Sequence, residues 1–246
     1  MSLFELSNIT KSFGAIHALQ GVDLLIAPGE AVGLMGDNGA GKSTLVKIIA
    51  GNFLPTSGQV KVEDREVHFH KPLDARKAGI EVVYQDLALA DNLTAAENVF
   101  LGRELRKGWG PFATLDKQAM IERSSELFEE LKSETRPRDL VQKMSGGQRQ
   151  AVAIARTRLS DPKLVIMDEP TAAISVRQVA EVLNLIKRLK ATGHAVILIS
   201  HRMPDVFEVC DRIAVLRRGT KVADKATAET SPEEITGLIT GAIDAA

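Results

Sequence analysis

The chain is 246 residues long and 44% hydrophobic, with a formal net charge of −1. That length admits one domain or two small ones, and the apolar fraction is ample for a packed core. The balanced charge gives no reason to expect nucleic acid, whose binders carry a basic surplus or stripe.

In chain order, the opening "MSLFELSNIT" lacks the basic start and long apolar core of a signal peptide. "LFELSNITKSF" and "VDLLIAPG" read as strands, and "EAVGLMG" as an apolar strand ending at Gly36. The helix "KSTLVKIIAG" follows, closed by Gly51, and "QVKVEDREVHF" alternates like a hairpin. "IEVVYQ" reads as a buried strand ending at Gln85. From about Leu87 to Ser160 the pattern turns helical, with Met120, Ile121, Leu127, Phe128 and Leu131 on one face of "KQAMIERSSELFEELK". The Gly/Pro-rich loop "GRELRKGWGPFAT" holds the only tryptophan, Trp109, expected to anchor the loop by packing.

After Asp161-Pro162 the alternation returns: strand "KLVIMDE", helix "SVRQVAEVLNLIKRLKATG", strand "HAVILISH", hairpin "RIAVLRRGTKVAD" and the capped helix "SPEEITGLITG". Continuous apolar strands between helices indicate a sheet covered on both faces. The expected fold is thus an α/β core, over 1–86 and 161–246, with an antiparallel β subdomain and an α-helical insertion at about 87–160. The runs "LVIM" and "AVILI" are far shorter than the roughly 20 residues of a membrane span, so a role at a membrane would be peripheral. The single Cys210 cannot form an internal disulfide and reads as a small buried hydrophobe in a reducing compartment.

Chemistry concentrates at strand ends. "GDNGAGKS", Gly36 to Ser43, fits G-x-x-x-x-G-K-[ST] between an apolar strand and an amphipathic helix. Its residues Gly36, Asn38, Gly39, Ala40 and Gly41 let backbone N–H groups wrap a phosphate. Lys42 is placed for the β- and γ-phosphates, Ser43 for Mg²⁺, and Thr44 for the α-phosphate region. Asp168 ends the strand "LVIMD", where ligands of open α/β sheets bind, and can hold Mg²⁺. Glu169 comes next, where a carboxylate can orient an attacking water and take its proton. His201 follows "AVILIS" and could steady γ-phosphoryl charge. Gln85 can coordinate Mg²⁺ or position water, a weak signal by itself. A second anion-ready helix start stands at Ser145, Gly146, Gly147 and Gln148.

Together these motifs resemble ABC-type ATPases, from Phe13 to His201 and through the final hairpin. "GDNGAGKST" is similar to Walker A, Gln85 to the Q-loop, "MSGGQ" to the signature, "LVIMDEP" to Walker B and "ISH" to the H-loop. The resemblance implies a P-loop NTPase (RecA-like) core, ATP and Mg²⁺ as cofactors, and Phe13 stacking on adenine. It also implies a head-to-tail homodimer, with ATP held between the Lys42 cradle of one chain and the Ser145–Gln148 helix start of the other. "GIEVVYQDLALADNLTAAENVFLGRE" and "DEPTAAISV" resemble ATPases of monosaccharide importers, most of all the single-cassette fructose type. That branch implies membrane permease subunits, an extracytoplasmic sugar-binding protein, a place on the cytoplasmic face of the inner membrane, and a permease-facing surface over Asp86 to Arg103. No regulatory domain is expected after "GLITGAIDAA". Two departures stand out: Met144 opens the signature in place of Leu, and Ile174-Ser175 stands where an Asp is usual. A soluble ABC ATPase of cofactor assembly or repair is the alternative. A kinase or GTPase explains no "SGGQ", and no guanine-selective NKxD is found.

Overall fold

A computed structural model describes residues 2–109, 113–172 and 174–243. Its contacts divide the chain into two units: Met1–Val82 with Pro162–Glu169 and Leu189–Ala246, and Val83–Asp161 with Pro170–Arg188.

The first unit carries two sheets. Strands β1 (Phe4–Phe13), β2 (Ile16–Ile26), β4 (Ser57–Val62) and β5 (Arg65–Glu66) form an antiparallel sheet in the order β2-β1-β4-β5. The turn from β4 to β5 places both Glu63 and Asp64 at positive φ, the conformation of a tight two-residue hairpin turn. The second sheet orders β12-β11-β3-β10-β9-β6, from β3 (Ala31–Met35), β6 (Ile80–Val83), β9 (Leu164–Asp168), β10 (Ala195–Ile199), β11 (Arg212–Arg217) and β12 (Thr220–Ala226). β9, β10, β3 and β11 run parallel and β12 closes the edge antiparallel. β3 and β10 are buried along their whole length, as expected of strands covered on both faces.

Helix α1 (Lys42–Ile49) has Leu45, Val46, Ile48 and Ile49 in a core shared by both sheets, with Phe4, Leu6 and Ile9 of β1 and Val32 and Leu34 of β3. Alternate residues of β9, β10 and β11 complete that core: Leu164 and Ile166, Ile197 and Ile199, Ala214 and Leu216. This period of two follows from strand geometry. Gly51 ends the helix at φ 75°, its N–H donating to Ile48 O. Arg212 ties strand ends together, reaching Glu30 through Nε at 2.9 Å, Asp224, and the Leu25 carbonyl. Cys210 is buried, and burial pushes its thiol up to about 12.

The first unit also contains α2 (Pro72–Lys77), α7 (Met203–Val209) and α8 (Pro232–Thr240). α8 runs between a Ser231 cap and Gly241 in the left-handed region.

The second unit holds α3 (Ala95–Val99), α4 (Lys117–Glu130) and α5 (Gly146–Arg158), and most of α6 (Val176–Ala191). On α4 the residues Met120, Leu127 and Phe128 are buried as the period of 3.6 requires, and Leu131 caps the helix. Two readings of this unit are corrected. The loop before α4 contains a small hairpin, β7 (Arg106–Lys107) with β8 (Thr114–Leu115), and Trp109 is 90% exposed instead of packed. β6 ends at Val83, so Tyr84 and Gln85 are exposed beyond the strand.

Candidate functional site

The loop from Gly36 to Gly41 leaves β3 and enters α1 without a side-chain cap on the helix N-terminus. The first N–H groups of α1 therefore keep their donor capacity for an anion. Three glycines take positive φ here: Gly36 at 152°, Gly39 at 78° and Gly41 at 106°. At Gly36 an added Cβ would stand 2.3 Å from Leu216 O, and at Gly41 2.9 Å from Ala18 O. Only glycine gives the turn its tightness at both places. The Asp37 side chain accepts from Asn38 N at 2.7 Å, and Ala40 N donates to Asp37 O.

Lys42 curls back into its own loop, with Nζ donating to Gly36 O at 2.5 Å and Asp37 O at 3.0 Å. Burial lowers its pKa, and Glu169, Asp37 and Asp168 act against that shift. An ammonium already facing carbonyl oxygens is placed to exchange them for phosphate oxygens. Ser43 is exposed and Thr44 partly so.

Asp168 ends β9, and Glu169 follows at φ 50°, its N–H donating to Ile199 O. Burial raises the pKa of both carboxyls; Lys42 and His201 oppose it at Asp168, and His201 leads the opposition at Glu169. His201 Nε2 stands 3.3 Å from Glu169 Oε1, and His201 N donates to Glu169 Oε2 at 3.4 Å. Glu169 Oε1 is buried and accepts no hydrogen bond of good geometry among the described residues. A buried carboxyl oxygen in that condition suits a water that donates to it. Among the described residues no group of three or more His, Cys, Asp and Glu could hold a metal. Mg²⁺ needs none, because it takes one or two carboxylates together with phosphates and water. Ser43 and Asp168 fit that donor set.

Phe13 ends β1 at 43% exposure, edge-on to Phe53 with ring centroids 5.4 Å apart. Lys11 Nζ lies 5.2 Å from its centroid. The ring is therefore outside the core and open to a planar partner.

In the second unit, Ser145 caps α5 in a reciprocal box with Gln148: Gln148 N donates to Ser145 Oγ at 3.3 Å, and Ser145 N to Gln148 Oε1 at 3.0 Å. A Cβ on Gly146 would meet Ile174 Cγ2 at 2.7 Å, and one on Gly147 would meet Glu181 Oε2 at 2.6 Å. The two glycines thus let the segment from Ile174 to Glu181 lie flush against the helix start. Ile174, where an acid is usual, is spent on that apolar contact. A cavity of about 450 Å³ opens beside Ser145, Gly147 and Gln148, lined further by Ser175, Gln178 and Glu181. Gln85 is also in this unit, in the exposed stretch before α3.

Two residues of this unit escaped the sequence reading. Gln150 is buried and donates to Pro170 O at 2.8 Å, tying α5 to the backbone that follows Glu169. Asn98 is fully buried on α3; its Nδ2 donates to Ala90 O and Thr94 O, and its Oδ1 accepts from Ala90 N. It fastens the stretch from Asp86 to Leu93, and Arg156 adds a bond to Ala88 O. The one available signal was an Asn inside the apolar helix "AAENVF". Asn98→Ala strands these backbone groups and is expected to cost about 2 kcal/mol, read as a lowered urea midpoint. An unchanged midpoint would remove Asn98 from this role.

A family model described as ABC transporter matches residues 19–172. The chain belongs to that family. It is 46% identical to the xylose/arabinose import ATP-binding protein XylG of Sulfolobus acidocaldarius, over 97% of this chain and 94% of that one. It is 43% identical to the ribose import ATP-binding protein RbsA of Yersinia pestis over 97% of its own length. The chain spans about half the length of the RbsA proteins, 46% in that pairing. A solved nucleotide-free ATP-binding cassette from an ABC transporter superposes with a TM-score of 0.82 at 27% identity, covering 98% of this chain and 96% of that one. The cassette MJ0796, solved as a dimer bound to ADP and Pi, gives 0.74 at 29% identity, covering 91% and 98%.

Proposed function

We propose that this chain is the ATP-hydrolysing subunit of a monosaccharide importer, peripheral on the cytoplasmic face of the membrane, and that it works as a head-to-tail pair. The observation that carries the reading is Glu169, whose buried Oε1 accepts no hydrogen bond among the described residues and stands 3.3 Å from His201 Nε2. Phe13 stacks on adenine, and the loop from Gly36 to Gly41 with Lys42, Ser43 and Thr44 holds the phosphates. Ser145 to Gln148 of the second copy covers the γ-phosphate. Ser43 and Asp168 would hold Mg²⁺, which would supply positive charge against the β- and γ-phosphate oxygens.

Glu169 orients a water and takes its proton as the water oxygen bonds to the γ-phosphorus. The bond from that phosphorus to the bridging oxygen of the β-phosphate breaks, leaving ADP and phosphate. His201 holds Glu169 in place and faces the developing γ-phosphoryl charge. Loss of the γ-phosphate frees the two copies from one another.

Importer work is supported by the ribose and xylose/arabinose names of the relatives, and pairing by the MJ0796 dimer. The ribose and xylose/arabinose names are those of pentose importers, which supports a monosaccharide as the cargo. The surface from Asp86 to Arg103, fastened by Asn98, is the place for a permease. The test is purification of the tagged chain from solubilised membranes of its own cell under Mg·ATP. A polytopic permease and a monosaccharide-binding protein are expected with it. Recovery with soluble partners alone, away from membranes, overturns the importer reading and favours cofactor assembly or repair.

A further inference from the structure

The nucleotide chemistry leaves the hairpin before α4 without a task. Its pairing sets Arg106 opposite Leu115 and Lys107 opposite Thr114, and Asp116 N donates to Leu105 O. Neither strand is covered: all four paired residues are exposed. Leu105 is 39% exposed and Leu115 45%, beside Trp109 at 90%. Tryptophan is among the residues most buried on average, so nearly full exposure at a hairpin with two exposed leucines is informative. Side chains alternate along a strand. Arg106 and Leu115, paired across the strands, therefore share one face, and Lys107 and Thr114 the other; Trp109 lies beyond the paired residues, after Gly108 at a φ of 96°. A protein groove covers one face of a ribbon. Here each face carries one cation, with Leu115 beside Arg106 and Trp109 just beyond Lys107, and the acids Glu104 and Asp116 stand at the base of the ribbon, outside its paired residues.

That mixture matches the boundary of a lipid bilayer, where indole rings settle among headgroups and Lys and Arg meet lipid phosphates. We propose that the hairpin of Arg106–Lys107 and Thr114–Leu115 places Trp109 in the headgroup layer of an anionic membrane, with Arg106 and Lys107 against the lipid phosphates. The chain as a whole carries a net charge of −1, so attraction to an anionic surface must come from such a local cluster. The contact goes beyond ATP hydrolysis and needs neither permease nor nucleotide.

Trp109 is the only tryptophan, so intrinsic emission reports this position alone. The full chain is titrated with phosphatidylglycerol/phosphatidylcholine vesicles and with pure phosphatidylcholine vesicles. A blue shift and protection from iodide are expected with the anionic vesicles, weakening as salt rises. The Arg106→Ala/Lys107→Ala variant is expected to bind them about thirtyfold more weakly, at about 1 kcal/mol per cation, with unchanged Mg·ATP hydrolysis. Trp109→Ala is expected to sediment less with the same vesicles. Emission unaltered by anionic vesicles overturns the proposal. So does a shift that appears only with reconstituted permease, which gives the hairpin to a protein partner. The vesicles hold no permease, so failure here leaves the importer reading standing.

Discussion

Glu169→Gln is expected to lower ATP hydrolysis by about a hundred- to ten-thousandfold, the range assigned to a positioned general base. The amide keeps the shape of the side chain and cannot take a proton. The backbone contacts of residue 169, its φ of 50° and its N–H to Ile199 O, do not depend on the side chain. Burial already disfavours the charged carboxylate there, so the neutral amide is expected to fold as well as the wild type. ATP should still bind and, unhydrolysed, hold two copies together. The check is steady-state phosphate release beside sizing chromatography with Mg·ATP. A variant that hydrolyses at the wild-type rate would take Glu169 out of the chemistry.

Gly36→Ala is expected to be the most damaging small change in the loop. Its Cβ would lie 2.3 Å from Leu216 O and 3.0 Å from the Ala40 Cβ, at a φ of 152°. The neighbouring strand cannot retreat easily, because Ala214 and Val215 of β11 pair with Leu34 and Met35 of β3. Backbone strain and the clash together are expected to cost about 3 kcal/mol. Gly39→Ala is the control: nothing lies within 4 Å of its Cβ, and its φ of 78° alone applies. That change is expected to cost about 1 kcal/mol. Urea midpoints of the two variants decide the matter. Equal loss at both positions would contradict the close packing of the loop on β11.

Much of this was readable because physics ties it to local pattern. "AVGLM", "LVIMD" and "AVILI" read as buried strands because parallel strands are covered on both faces, and all three lie in one sheet. The glycines from Gly36 to Gly41 read as a turn because φ above zero favours glycine, and the structure has all three there. Trp109 was misread because burial is the average fate of tryptophan, and sequence does not tell a packed loop from an open hairpin. The extra length of β6 was misread because Tyr84 continues the strand-favouring run of Val82 and Val83 past the point where pairing stops. Asn98 and Gln150 stayed hidden for a related reason. Their value lies in bonds to the backbone of Ala90 and Pro170, which only the fold brings near. The roles of Gly146 and Gly147 had the same limit. Their closeness to Ile174 and Glu181 is a tertiary fact, invisible in "MSGGQ".

The central claim is that each ATP site needs Lys42 of one copy and the Ser145 helix start of another. Complementation tests it most directly. Lys42→Ala spoils the cradle, and Ser145→Arg blocks an exposed helix start at the loss of one cap, about 1 kcal/mol. Each variant alone should be inactive in Mg·ATP hydrolysis. Co-expressed with two tags and purified through both, the mixed pair should regain activity, since it holds one site with both parts intact. Activity that never exceeds the sum of the separate variants would contradict the shared site.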